Sequence, residues 1–100
     1  MNNFILVGNI EREPEIKETN SGLKYCQLLI REKRTFKNSD GKYESDLYNV
    51  TLWKNLAEGE YKEGSFVAVR GRLQANNYDK EGVTYYHPDL VAEKVQFIEC

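Results

Sequence analysis

The sequence is short of the residues that build cross-links and metal sites. It has two cysteines, two prolines, one methionine and one histidine in 100 residues. Cys26 and Cys100 stand far apart with no CxxC spacing, which argues against a disulfide framework and fits a reduced, intracellular compartment, the cytoplasm. His87 precedes Pro88 without a partner motif, and with the two cysteines it makes no metal-ligand spacing. It reads as a surface or strand-end histidine. The only N-terminal apolar run, Phe4-Ile5-Leu6-Val7, is broken at once by Gly8 and Asn9 and has no basic leader. It is too short for a signal peptide or a membrane span, so no membrane partner is expected. No phosphate loop, GxGxxG or nucleophile elbow occurs. The carboxylates are interspersed with Lys and Arg as on a solvated surface. The chain therefore reads as neither an enzyme nor a binder of a cofactor or small-molecule substrate. Positive charge is not in excess either: 14 Lys and Arg against 16 Asp and Glu leave −2. That balance weighs against a nucleic-acid partner unless the charge is unevenly placed.

What is abundant is aromatic: seven Tyr, four Phe and one Trp. The length suits one domain, residues 1–100, able to bury a modest core. Turn-forming clusters fall at Asn20-Ser21-Gly22, Asn38-Ser39-Asp40-Gly41, Glu63-Gly64-Ser65 and Asp79-Lys80-Glu81-Gly82. The stretches between them are rich in β-branched and aromatic residues. Strands are expected near Asn3–Ile10, Leu23–Thr35, Tyr43–Trp53, Ser65–Tyr78 and Val83–Ile98, the last interrupted near Pro88. The charged segment from Lys54 to Glu63 predicts a short helix, with Leu56 and Tyr61 facing inward and Gly64 ending it. Five strands with a helix between the third and fourth is the order of an OB-fold, an all-β, five-stranded Greek-key barrel.

Alternation sorts the strand residues onto faces. In the third predicted strand Tyr48, Val50 and Leu52 form a core-like face. The other face holds Leu47, Asn49, Thr51 and the only tryptophan, Trp53. In the fourth, Val67, Val69, Gly71 and Leu73 oppose a face with Arg70, Arg72, Gln74 and Tyr78. A surface combining Trp53 with Arg70, Arg72 and Tyr78 would be basic, polar and aromatic at once. Such a surface suits an unpaired nucleic-acid strand, because bases stack on rings and phosphates need cations. The competing reading is a core tryptophan and solvated arginines. The second clue is a run of cations, Lys24, Arg31, Lys33, Arg34, Lys37 and Lys42, against only Glu32 and Asp40, which gives +4 around Phe36. The plainer reading is a solvated hairpin tip.

The ordered set of segments resembles the bacterial and phage single-stranded DNA-binding proteins over nearly the whole chain. It comprises Asn3-Phe4-Ile5-Leu6-Val7-Gly8-Asn9-Ile10 with Glu13-Pro14-Glu15, then Phe36-Lys37-Asn38 with Gly41-Lys42-Tyr43-Glu44, Trp53-Lys54-Asn55-Leu56-Ala57-Glu58, and Val69-Arg70-Gly71-Arg72-Leu73. The resemblance implies an OB-fold that assembles as a homodimer or homotetramer. It implies sequence-independent binding and protection of single-stranded DNA during replication, recombination or repair, near the nucleoid. It places stacking rings at Phe36, Trp53 and Tyr78, and a fourth position on Leu47, which cannot stack comparably. With the basic and polar neighbours, the expected site is Phe36, Trp53, Tyr78, Lys33, Arg34, Lys37, Asn49, Lys54, Arg70 and Arg72. Lys24-Tyr25 is bulkier than the resemblance implies, which points to altered subunit packing. A Gly/Pro-rich linker and acidic partner-recruiting tail are also implied, and none follows Glu99-Cys100. Two rival functions are an OB-fold protein-protein adaptor without nucleic-acid binding and a sugar-binding OB domain. Both should depend only weakly on salt, unlike a phosphate binder.

Overall fold

The computed structural model describes residues 1–98; Cys100 lies outside them. Eight strands form in chain order: β1 (Phe4–Ile10), β2 (Lys17–Glu18), β3 (Lys24–Lys37), β4 (Tyr43–Trp53), β5 (Phe66–Ala75), β6 (Tyr78–Lys80), β7 (Val83–Tyr85) and β8 (Pro88–Phe97). β1, β5, β8, β4 and β3 pair in that order, and β1 returns to β3 through Asn9–Arg31 and Ile10–Ile30. That last ladder closes a five-stranded barrel, the OB-fold expected from the order of elements. The seam between β4 and β8 is parallel and short, with Val50 opposite Leu90 and Thr51 opposite Val91.

The core follows the period-two pattern. Leu6 and Ile10 of β1, Cys26, Leu28 and Ile30 of β3, Val50 and Leu52 of β4, Val67 and Val69 of β5, and Ala92 of β8 all turn inward and are buried. Tyr48 shares the parity of Val50 but stays exposed, which corrects its expected place in the core. β8 meets β4 only at Val50 and Thr51. Beyond them β8 no longer lies against β4, and past Ile30, which β1 still pairs, β3 and β4 continue as a two-stranded arm.

The helix predicted from Lys54 to Glu63 is only a 3-10 turn, Lys54–Glu58. Lys54 makes the corner after Trp53 with a positive φ of 57°. The turn then drops Ala57 onto the end of the barrel and stops at Gly59, whose N–H reaches the Leu56 carbonyl. Tyr61 returns to the core and its hydroxyl donates to the same carbonyl at 2.7 Å. Only a few residues separate the end of β4 from that buried tyrosine, so a longer helix has no room. Gly64 instead serves the turn into β5, where its N–H donates to Ile10 at 2.8 Å. Cys26 lies in the same region, fully buried, and burial raises its thiol pKa.

The predicted strand Ser65–Tyr78 also divides. The β5–β8 ladder ends at Ala75 opposite Pro88, and Tyr78 belongs to a separate β6–β7 hairpin. Glu81 and Gly82 hold that hairpin's turn with φ of 53° and 79°. Two positive φ values in a two-residue loop match the turn whose twist suits paired strands.

Candidate nucleic-acid interface

The outward face of the β3–β4 ribbon is the most regular part of the site. Register sets Tyr25 opposite Trp53, Gln27 opposite Thr51, Leu29 opposite Asn49, Arg31 opposite Leu47 and Lys33 opposite Ser45. Trp53 is 38% exposed and packs against Tyr25 with ring centroids 5.1 Å apart. The two rings are tilted by 33°, and part of the indole stays exposed. This places the tryptophan outside the core. The same pairing explains the bulk at Lys24-Tyr25: Tyr25 supports Trp53, and Lys24 bonds Glu58 at 2.9 Å.

The far end of β3 carries a bulge. Lys33 faces Ser45 and Lys37 faces Tyr43, so Arg34, Thr35 and Phe36 oppose Glu44 alone. Bulges re-aim side chains. Phe36 stands 62% exposed with the Arg34 guanidinium 5.9 Å from its ring. Tyr43 holds Lys33 and Lys37 near its own ring, at 5.0 and 5.8 Å. The turn at the tip is set by Asn38, whose Oδ1 accepts from the N–H groups of Asp40 and Lys42.

The basic run is weaker than the sequence count. Arg34 donates to both oxygens of Asp46, at 2.9 and 2.8 Å, and to Glu44 at 3.0 Å. These bonds hold the Asp46 carboxyl below its ordinary pKa, chiefly through the guanidinium hydrogen bond. Arg31 pairs with Glu11 and Lys24 with Glu58. Glu44 and Asp46 lie just beyond the sequence window that yields +4, and the hairpin folds them back onto it. Among the described residues no carboxylate pairs with Lys33, Lys37, Lys54, Arg70 or Arg72.

Across the barrel, Val91 of β8 has Thr51 on one side and Arg72 on the other, which links Arg72 to the face of Trp53. Arg70 lies farther round, with Ile5 on one side and Lys94 directly opposite on the other. Like charges facing each other in a ladder are unfavourable unless an anion sits nearby. On the β6–β7 hairpin Tyr78 stacks on Tyr85, centroids 5.2 Å apart and planes 19° apart. Thr84 bonds Asp79 beside them at 2.6 Å.

Residues 1–98 match the Single-strand binding protein family. The chain belongs to that family. A curated relative, single-stranded DNA-binding protein 1 of Staphylococcus aureus strain MSSA476, is 40% identical over 103 residues. The match takes in 99% of this chain and 66% of that protein's length, just under two thirds. Single-stranded DNA-binding protein B of Bacillus subtilis strain 168 is 34% identical, over 98% of this chain and 90% of its own length. The fold is also that of the wild-type single-stranded DNA binding protein of Thermus aquaticus, with a TM-score of 0.79 at 24% identity, covering 99% of this chain and 50% of that one. A Plasmodium falciparum SSB solved in complex with ssDNA superposes with a TM-score of 0.78 at 17% identity, over 99% and 96% of the two chains.

Within this member of the single-strand binding protein family, the residues named from sequence fall into separate groups. Trp53 and Asn49 share the outward ribbon face with Lys33. Lys54 sits at the corner after Trp53, and Arg72 joins across β8. Phe36 and Arg34 belong to the bulge. Tyr78 is on its own hairpin instead of β5. Among the described residues, neither Phe36 nor Tyr78 is in ring contact with Trp53. Tyr25, Tyr43, Tyr85 and Lys94 escape the sequence reading. Tyr85 was reachable, because a two-residue Glu81-Gly82 turn alone puts residue 78 opposite 85. Tyr25 and Tyr43 depend on a long-range register that local pattern does not supply.

Proposed function

We propose that this protein binds single-stranded DNA without sequence preference. The bases stack on Trp53, on Phe36 of the arm and on Tyr78 of the β6–β7 hairpin, and the phosphates are met by Lys33, Lys37, Lys54, Arg70 and Arg72. The observation that carries this reading is Trp53: a lone tryptophan turned outward and backed by Tyr25, on a strand face whose lysine, among the described residues, lacks a carboxylate partner. The rings stand on separate ribbons, which suits splayed bases and not the groove of a duplex. Membership in the family and the names of its relatives support the same reading. The protein acts by coverage, without catalysis, on DNA exposed in replication, recombination or repair, in the cytoplasm at the nucleoid. Among the described residues no helix is long and apolar enough to cross a membrane.

Self-association as a homodimer or homotetramer belongs to the same proposal. β1 pairs with β3 only at Asn9 and Ile10, so among the described residues its other edge has no strand partner from Phe4 to Gly8. Ile5 beside it is 76% exposed. Such an edge is a template for pairing with another strand.

The test is competition between oligo(dT) and a duplex of equal length, followed by quenching of the Trp53 fluorescence. Preference for the single strand, with quenching, is expected. Equal or stronger duplex binding would refute the proposal. An adaptor that binds protein alone would show neither.

A further inference from the structure

We propose that Tyr43 is an additional base-stacking platform, with Lys33 and Lys37 as the cations that receive the adjoining phosphates. The inference rests on the single-strand reading above and extends it to the tip of the β3–β4 arm.

Three observations carry it. First, the register break in this ribbon lies in β3, between Lys33 and Lys37, and β4 runs unbroken from Tyr43 to Trp53. Alternation along β4 therefore puts Tyr43, Ser45, Leu47, Asn49, Thr51 and Trp53 on one face. Ten residue steps at about 3.3 Å set the two rings about 33 Å apart along the strand, enough for a track of several nucleotides. Leu47, midway, offers no ring. Second, Tyr43 is 47% exposed and outside the core, so a ligand that displaces its lysine neighbours can reach the ring. Third, the bulge changes which side chain meets the ring. In the register held up to Lys33–Ser45, Thr35 would oppose Tyr43. The extra residues bring Lys37 there instead, while Lys33 reaches back from the neighbouring pair. Both ammonium groups then lie within about 6 Å of one ring, the reach of a cation–π contact.

Two like charges gathered on one exposed ring repel each other, and among the described residues no carboxylate pairs with either. A nucleotide resolves both features. Its base takes their place on the ring, and its flanking phosphates draw the lysines away. Every base has a π-face, so the site adds affinity without adding sequence preference.

The experiment measures binding of a fluorescein-labelled oligo(dT) 30-mer by anisotropy, for wild type and for Tyr43→Ala, Tyr43→Leu, Tyr43→Phe and Trp53→Ala. Circular dichroism melts confirm folding of each variant. Ala and Leu at position 43 should weaken binding by about 5- to 150-fold, the range of one lost base stack, and Phe should stay within about twofold of wild type. In the unmodified protein, ring-proton NMR signals of Tyr43 should move upfield when oligo(dT) is added. Leucine preserves bulk without a ring, so a brace for the arm would tolerate it. If Tyr43→Ala and Tyr43→Leu bind like wild type while Trp53→Ala is impaired, Tyr43 only braces the arm and the inference falls alone. Loss in Tyr43→Phe as deep as in Tyr43→Ala would assign the effect to the hydroxyl and also overturn it, as would unmoved ring signals. Failure of the wild type to bind oligo(dT) would instead remove the underlying function.

Discussion

Salt dependence separates the cations proposed to meet phosphate from those engaged within the fold. The counterion released at each neutralised phosphate makes log K fall with log salt by about 0.7 per contact on a single strand. Lys33, Lys37, Lys54, Arg70 and Arg72 together set a slope near −3.5 by that rule, so a rise from about 50 to 200 mM salt should cost about 130-fold in affinity. Lys37→Gln removes one such contact and should make the slope shallower by about 0.7. Arg34 is next to Lys33 in sequence, yet it should behave differently because Asp46 and Glu44 hold its guanidinium. Replacing Arg34→Gln and Asp46→Asn together removes one charge of each sign and should leave the slope unchanged. The assay is quenching of Trp53 by poly(dT), titrated at four or more salt concentrations for the three proteins. A slope reduced as much in the double variant as in Lys37→Gln would mean that Arg34 releases its carboxylates to reach phosphate, and the assignment of cations would be wrong.

Three further outcomes are expected. Trp53→Ala should weaken oligo(dT) binding by about 1–3 kcal/mol, and its stability loss in urea should be near the ~0.5–1.5 kcal/mol of an aromatic pair, well short of the ~3–5 kcal/mol of an emptied core site; a large stability loss with unchanged affinity would return the residue to a structural role. Gly71→Ala should destabilise the barrel, because a β-carbon there runs into the Val91 carbonyl oxygen and comes within 2.7 Å of the Phe4 ring; overpacking of this kind costs about 1–3 kcal/mol, or some 4–8 °C per kcal/mol in thermal melting, and an unchanged melt would contradict the packing. Asp46 is stabilised in its charged form by Arg34, so its contribution is present above the ordinary carboxyl value of 3.8 and lost as pH falls through its lower folded value; carboxyl NMR should place its midpoint below 3.8, and Arg34→Gln should raise that midpoint.

The barrel was legible because its causes are local. Period-two burial, turn residues at short intervals and the order of segments do not depend on which strands meet, so the core positions Val50, Leu52, Val67 and Val69 could be named from alternation alone. Trp53 could be placed outward for the same reason, since it shares parity with Asn49 and Thr51. Three other features needed contacts between distant segments. Tyr48 obeys the core pattern and is exposed, because β8 meets β4 too briefly to cover it. The basic run counts +4 along the chain and much less in space, because hairpin pairing and chain return bring Glu11, Glu44, Asp46 and Glu58 onto its members. Tyr43 looks like any tip tyrosine until the bulge in β3 sets Lys37 opposite it. Alternation is a property of one strand and can be read from it. Register, cover and charge pairing belong to two strands at once, and only the folded chain decides them.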